Sequence, residues 1–306
     1  MNSLQGRDFV RVADWSGEEL TELLDLADRL KAEQRRREEH RLLPGRSIGL
    51  IFEKPSLRTR VSFEVAITQL GGTPVHLTGP EIGLGHREST REMGRVLSGY
   101  LDAIVLRTFS QSLVEELAEH ASVPVVNGLT DSAHPCQALA DAMTIRERLG
   151  RLEGVRVAWL GDGNNVCASL MVICAKLGME FVAGTPEGYE PEAAAVDAAR
   201  AAGGAPQLVR DPGEAARGAD VLCTDVWTSM GREAERERRL RDFAGYQIDE
   251  ELMRAAGDGA IVLHCLPAHI GEEITEDVLY GPKSAAWDEA ENRLHTEKAL
   301  LALVVA

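Results

Sequence analysis

The chain has 306 residues, 44% of them hydrophobic and 27% charged, which suits a soluble globular protein of about two domains, each with its own core. Its 33 basic and 49 acidic residues leave a formal charge of −16, which argues against nucleic acid or an anionic membrane as partner and makes any local cluster of Arg and His conspicuous. The 5 cysteines (Cys136, Cys167, Cys174, Cys223, Cys265) are scattered with no CxxC pair, so reduced thiols fit better than a disulfide framework or a zinc site. The opening "MNSLQGRDFVRVADW" has no apolar h-region, and no apolar run approaches the roughly 18 residues of a membrane span; a cytoplasmic protein is expected.

Ser16 and Glu19 form a capping box for a first helix whose apolar stripe is Leu20, Leu23, Leu24, Ala27 and Leu30. The charge run "KAEQRRREEHR", 31–41, reads as its solvated end. Short apolar runs then predict buried parallel strands at Ser47–Phe52, Pro74–Leu77, Ala103–Leu106 and Val123–Val126, separated by amphipathic stretches at Leu57–Leu70, Thr90–Tyr100, Leu113–His120 and Pro135–Leu149. A second series runs through Val155–Leu160, Glu180–Ala183, Gln207–Val209, Asp220–Cys223 and Ala260–His264, and Glu289–Val305 reads as a terminal helix. Strand–helix alternation of this kind predicts an α/β fold of two doubly wound parallel-sheet domains, with the change near "GRLEG", 150–154.

Ligands of open α/β sheets sit beyond the carboxyl ends of the strands. Those ends carry Lys54–Arg60, Arg107, "NGLTDSAHPCQ" (127–137), "GDGNN" (161–165), "DVWTSMG" (225–231) and "HCLPAH" (264–269), so an active site in a cleft between the domains is expected. In "EKPSLRTR", Pro55 breaks the strand and Ser56 caps a helix whose first turn holds Arg58 and Arg60, where a cation is disfavoured by about 0.3–1 kcal/mol. Either a strong anion such as a phosphate sits at that helix mouth, on the Leu57–Thr59 N–H groups, the Ser56 and Thr59 hydroxyls and Arg58, or the arginines bridge to acidic groups elsewhere. In "HPCQ", Pro135 starts a helix and leaves His134 and Gln137 able to donate to one carbonyl oxygen, although a lone His there is more often satisfied by backbone. "GDGNN" invites a dinucleotide reading but has Val166 at the third glycine and no acid at the end of "FVAGTP". Asp225 either faces a ligand or caps the next helix, and Cys265 either faces a ligand or is a buried thiol.

Together these stretches resemble the aspartate/ornithine carbamoyltransferase family, on its ornithine-specific side, over Asp8 to Leu303. "SLRTR" is similar to the family's SxRTR carbamoyl-phosphate loop, "HPCQALAD" to HPxQxLAD, "DVWTSMG" and "HCLP" to the ornithine-type motifs, and "DEAENRLHTEKA" to the terminal segment. The resemblance implies a carbamoyl-phosphate-binding domain at 1–148, with the helix 289–306 packing back on it, and an ornithine-binding domain at 149–288. It places carbamoyl phosphate on Ser56, Leu57, Arg58, Thr59, Arg107, His134, Gln137, Cys265, Leu266 and Arg293, with Cys265 and Leu266 also beside the reacting amine. Ornithine falls to Asn165, Asp225, Ser229 and Met230, and catalysis to Arg107, His134, Cys265 and Arg293. No cofactor and no metal are implied, the substrates are carbamoyl phosphate and L-ornithine, and the assembly is a homotrimer or a multiple of trimers. The family often has Thr where Leu57 stands, a position at which a backbone N–H serves. Gly83 stands where many members lend a Gln to a neighbouring subunit, so that contact is not carried over.

Rival amines are N-acetylornithine, putrescine and aspartate; Asp225 with its Ser-Met-Gly loop favours a free α-amino group over the first two. A nicotinamide-dependent oxidoreductase and a non-catalytic paralogue are the rivals from other classes. The direction of the reaction, synthetic or catabolic, is not set by these residues.

Overall fold

The computed structural model describes residues 4–83, 88–229 and 233–306. The chain divides into two compact units, Met1–Met143 with Glu291–Ala306, and Thr144–Ala290.

In the first unit, strands β1 (Ser47–Phe52), β2 (Thr73–Thr78), β3 (Ala103–Arg107) and β4 (Val125–Leu129) form a parallel sheet in the order β2-β1-β3-β4. Its helices are α1 (Gly17–Arg35), α2 (Arg58–Gln69), α3 (Gly79–Ile82), α4 (Thr90–Ser98) and α5 (Gln111–His120). The chain leaves this unit within α6 (Pro135–Leu149). Burial on both faces explains the unbroken apolar runs: Ile48, Leu50 and Ile51 of β1 and Ala103 to Leu106 of β3 are wholly inaccessible. Helix α1 starts as the capping box requires, with Ser16 Oγ accepting from the Glu19 N–H at 3.1 Å and Glu19 Oε2 accepting from the Ser16 N–H at 2.8 Å.

Two expectations need correction. The strand expected at Val123–Val126 lies at Val125–Leu129, so Asn127 belongs to the sheet rather than to the following loop. Its backbone N–H donates to Phe9 O at 2.9 Å and its side-chain amide to Val10 O at 3.0 Å, so the N-terminal segment takes up donors of this buried polar residue. The charge run 31–41 is not uniformly solvated either. Helix α1 ends at Arg35, and Lys31 is buried, donating to Asn292 Oδ1 at 2.7 Å.

In the second unit, β5 (Arg156–Leu160), β6 (Glu180–Gly184), β7 (Gln207–Val209), β8 (Val221–Thr224) and β9 (Ile261–His264) form a parallel sheet in the order β7-β6-β5-β8-β9. Helices α7 (Asn165–Lys176), α8 (Ala193–Ala201), α9 (Pro212–Ala216), α10 (Arg236–Asp242), α11 (Glu250–Ala256) and α12 (Glu276–Leu279) surround it, and α13 (Ala286–Val305) carries the chain back to the first unit. Helix α7 is apolar on every side because it is buried from Val166 to Cys174.

Each sheet reverses its strand order once, between β1 and β3 in the first unit and between β5 and β8 in the second. Adjacent loops diverge at such a point and leave a crevice at the strand carboxyl ends. The sequence places Lys54–Thr59 and Arg107 at the first reversal, and Gly161–Asn165 and Asp225 at the second.

Candidate active site

At the first reversal, β1 ends at Phe52 and α2 begins at Arg58, one residue later than Ser56 capping alone implies. Leu57 is already helical in its angles, and Ser56 Oγ accepts from the Thr59 N–H at 3.2 Å, so the serine still caps the first turn. Leu57 is 75% exposed, Arg58 is half-buried and Thr59 is buried. The loop is anchored from below. Lys54, buried, pairs with Asp131 and lies 4.0 Å over the Phe109 ring, while Glu53 accepts from the Thr108 hydroxyl.

Arg293 of α13 reaches the same helix. Its guanidinium donates to Thr59 Oγ1 at 3.3 Å, to Gln137 Oε1 at 2.9 Å, and to Glu297 Oε1 through Nε at 3.1 Å and Nη2 at 2.7 Å. Because a guanidinium only donates, Gln137 must present its oxygen to Arg293 and turn its NH2 to Asp141 Oδ1, one turn further along α6, at 2.9 Å. One N–H of Gln137 is thereby held by Asp141, and only the other is available for the carbonyl ligand that the sequence reading gives it together with His134. Burial opposes the charge of Arg293, and Glu297 more than offsets it, so its pKa is raised. Burial also pushes the Glu297 carboxyl up to about 7 against the pull of Arg293.

His134 immediately precedes α6 and is buried, with Arg293, Arg107 and Arg58 around it. Burial first, and those cations next, hold its imidazole well below the usual histidine range, so it is neutral. Arg107 ends β3 and is 6% exposed. Ser56, Leu57, Arg58, Thr59, Arg107, His134, Gln137 and Arg293 thus fall in one unit, on the strand ends and the helices beside them. A neutral imidazole N–H, three guanidinium groups and a capped helix N-terminus form a set of donors, in which Asp141 and Glu297 hold Gln137 and Arg293 in place. Such a set binds an oxyanion and polarises a carbonyl.

At the second reversal the centre is Asp225, immediately after β8 and 9% exposed. Its Oδ1 accepts from the Val226 N–H at 2.8 Å and the Cys265 thiol at 3.1 Å, and its Oδ2 accepts from Asn164 Nδ2 at 2.8 Å. Asn164 in turn caps α7, its Oδ1 accepting from the Val166 and Cys167 N–H groups at 3.0 and 3.1 Å. All of these donors to Asp225 are neutral, and none of them brings a cation to the carboxylate. Asn165, the first residue of α7, and Ser229 are half-buried; Met230 lies outside the described residues, as do residues 84–87 of the stretch after Gly83.

Cys265 and Leu266 belong to this second unit and follow β9. Leu266 has φ +56°, a left-handed conformation that costs a non-glycine residue roughly 1–2 kcal/mol, and its peptide to Pro267 is cis. A buried pair holds it there. The Leu266 N–H donates to His264 Nδ1 at 2.9 Å, which leaves the His264 proton on Nε2, facing Glu273 Oε1 at 3.0 Å.

Three contributors escaped sequence reasoning. Asn164 was legible in principle, as the Asn before a helix. Glu297, which orients Arg293 one turn away, is one charged residue among many in α13. Arg239 sits in the charged stretch "ERERRLRDF", yet it is 1% exposed and donates to Asp162 Oδ2 and Trp227 O, both at 2.7 Å. Burial works against its charge, but Asp162 raises its pKa, and the pair ties the loop after β5 to the loop after β8. "GDGNN" also acquires a structural reason. A Cβ on Gly163 would lie 2.2 Å from Pro191 N and 2.4 Å from Glu190 C, so that glycine serves a close backbone approach within the protein rather than a pyrophosphate.

Comparison with known proteins agrees over the full length. Residues 7–147 match the family model described as aspartate/ornithine carbamoyltransferase, carbamoyl-P binding domain, and residues 153–304 match the model for the Asp/Orn binding domain. The ornithine carbamoyltransferase of Symbiobacterium thermophilum is 50% identical over 100% of both chains, and that of Pyrococcus horikoshii is 49% identical over 99% of this chain and 97% of its own. The solved structure of ornithine carbamoyltransferase from Pyrococcus furiosus superposes with a TM-score of 0.96 at 48% identity, covering 100% of this chain and 99% of that one. The chain belongs to the aspartate/ornithine carbamoyltransferase family.

Proposed function

We propose that the chain transfers the carbamoyl group of carbamoyl phosphate to the δ-amine of L-ornithine, giving L-citrulline and phosphate. The observation that carries the choice of amine is Asp225, a nearly buried carboxylate with three neutral hydrogen-bond donors among the described residues. Its complement is an ammonium group, and the α-ammonium of ornithine supplies one. An N-acetylated amine offers no such charge there, and putrescine has no α-centre to place.

Carbamoyl phosphate binds with its phosphate at the mouth of α2, on the Ser56 and Thr59 hydroxyls, the Leu57 N–H and Arg58. Its carbamoyl oxygen meets Arg107, His134 and Arg293, while Gln137 holds Arg293 and borders the carbamoyl group. Ornithine binds through Asn165 at its carboxylate and Asp225 at its α-ammonium, with Ser229 and Met230 completing that end and Cys265 and Leu266 beside the δ-amine. The neutral δ-nitrogen attacks the carbamoyl carbon, the C=O electrons move onto oxygen, and the tetrahedral oxyanion collapses with loss of phosphate. The proton shed by nitrogen is taken up by the departing phosphate. Donors already in place for the oxyanion and the phosphate favour the transition state over the bound substrates; each such donor is worth about 3–4 kcal/mol in comparable sites. A neutral His134 suits this role, because it donates one hydrogen bond without adding a fourth cation to Arg58, Arg107 and Arg293.

The same family relationship supports reading residues 1–148 with 289–306 as the carbamoyl-phosphate-binding domain and 149–288 as the ornithine-binding domain, in a cytoplasmic homotrimer or multiple of trimers. Among the described residues no helix is long and apolar enough to cross a membrane. The test of the amine is a panel of ornithine, N-acetylornithine, putrescine and aspartate at fixed carbamoyl phosphate. Ornithine should have the highest kcat/KM; a preference for either N-acetylornithine or putrescine would overturn the role given to Asp225.

A further inference from the structure

We propose that His269, Glu272 and Glu273 form a binding site for one divalent transition-metal ion, separate from the substrate-binding residues. The three lie on the segment that follows β9, and one ligand atom from each falls within 4.8 Å of the others.

Glu273 is wholly buried. Its Oε1 accepts from His264 Nε2 at 3.0 Å and from the His269 N–H at 2.6 Å, while its Oε2 is buried with no hydrogen-bond partner. Glu272 repeats the pattern. Its Oε1 is paired with Arg236, and its Oε2 is buried without a hydrogen-bond partner, 3.6 Å from His269 Nδ1. Two neighbouring carboxylates thus each place one oxygen on protein donors and leave the other removed from water and undonated. Buried acceptors in this condition are uncommon, and a cation held by these neighbouring carboxylates and His269 would offset them. The His269 side chain is 44% exposed, which gives an ion a path in from solvent.

The donor set indicates the class of ion. One imidazole nitrogen and two carboxylate oxygens, with water completing the shell, suit Zn²⁺, Co²⁺ or Mn²⁺ better than Mg²⁺ or Ca²⁺, which prefer oxygen alone. Arg236 and His264, on the outer carboxylate oxygens, hold the two ligands in a fixed orientation. A second trio of comparable spacing, Asp225, His264 and Cys265, is a weaker candidate because its groups are already engaged. The Leu266 N–H and Glu273 occupy both His264 ring nitrogens, and the Cys265 thiol donates to Asp225. An ion on Glu273 also bears on the active site indirectly, since Glu273 holds His264 and His264 accepts from the Leu266 N–H.

The experiment is a titration of the chelator-treated full-length protein with Co²⁺ and Zn²⁺, followed by calorimetry and, for Co²⁺, visible absorption. One ion per chain is expected, with a cobalt spectrum that lacks the sulfur-to-metal charge-transfer band of a thiolate ligand. His269→Ala and Glu272→Gln should each weaken binding at least about 10-fold, whereas Cys265→Ser leaves it unchanged. Thermal melts of the ion-free variants check that each remains folded. Absence of saturable binding would overturn the proposal. So would a thiolate band, or affinity that survives both His269→Ala and Glu272→Gln and is lost in Cys265→Ser.

Discussion

Replacing Asp225 by Asn keeps shape and volume and removes one charge and one acceptor. In the native site Oδ1 accepts from the Val226 N–H at 2.8 Å and the Cys265 thiol at 3.1 Å, and Oδ2 accepts from Asn164 Nδ2 at 2.8 Å. With its amide oxygen at the Oδ1 position, the substituted side chain would keep the first two bonds and turn an NH2 against the NH2 of Asn164. Asn164 cannot answer by rotating its own amide, because its oxygen caps α7 through the Val166 and Cys167 N–H groups, and losing that cap costs about 1 kcal/mol. The opposite rotamer loses Val226 and Cys265 instead. Either way the variant carries a donor–donor conflict worth about 1–3 kcal/mol. For a domain of this size that lowers Tm by roughly 2–4 °C per kcal/mol. The catalytic effect is larger and selective. Loss of a charge partner for a desolvated ammonium costs about 2–5 kcal/mol, so kcat/KM for ornithine should fall at least roughly 30-fold. Carbamoyl phosphate affinity, measured calorimetrically, should not change. Steady-state kinetics with ornithine varied, run beside that calorimetry, decide it. An ornithine kcat/KM equal to wild type, or an equal loss of carbamoyl phosphate binding, would refute the placement of Asp225.

Other perturbations address the first unit and the scaffold. Arg293→Lys keeps the charge but loses the fork that spans Thr59, Gln137 and Glu297, so kcat should drop by about 10²–10³, as for loss of one oxyanion donor, with ornithine KM little altered; an unchanged kcat would remove Arg293 from the catalytic set. Gly163→Ala forces a Cβ to within 2.2 Å of Pro191 N and should cost about 3 kcal/mol or more in urea unfolding, whereas a neutral result would contradict the close approach. Stability should also fall as pH drops from about 6.5 toward 5. Burial lowers the folded pKa of His134 and of His295, the latter to about 3, so their contribution is present above the unfolded histidine value and is lost as pH falls toward the folded ones. Glu297, raised by burial to about 7, acts in the opposite sense, stabilising below its unfolded value and losing that contribution as pH rises through 7. The two histidines outweigh the one carboxylate in this range, so unfolding takes up protons, and His295→Gln should flatten the profile; a slope unchanged in that variant would contradict the assignment.

Much of this architecture was legible because buried parallel strands leave continuous apolar runs: β1 falls where the pattern places it, and β3, β5 and β9 fall within one residue of it. The polar residues Ser56–Thr59, Arg107, His134 and Asp225 stand at or just beyond strand carboxyl ends, as the pattern placed them without any knowledge of the strand order. What stayed hidden depends on partners distant in sequence. Asn127 looks like the start of a loop until Phe9 and Val10 are beside it. Lys31 reads as solvated charge and Arg239 gives no local signal, and only Asn292 in one case and Asp162 with Trp227 in the other explain their burial. The orientation of Gln137 was hidden for the same reason: its NH2 turns to Asp141 because Arg293, 156 residues away, claims its oxygen. Local periodicity carries no information on such pairings.

The most direct test is product analysis of the purified protein with carbamoyl phosphate and L-ornithine, following citrulline and phosphate together in wild type and in Arg58→Ala. Equal amounts of the two products from wild type, with turnover nearly abolished in the variant, are predicted from a dianion seated at the mouth of α2. Phosphate release without citrulline, or citrulline formation that is indifferent to Arg58, would contradict the account.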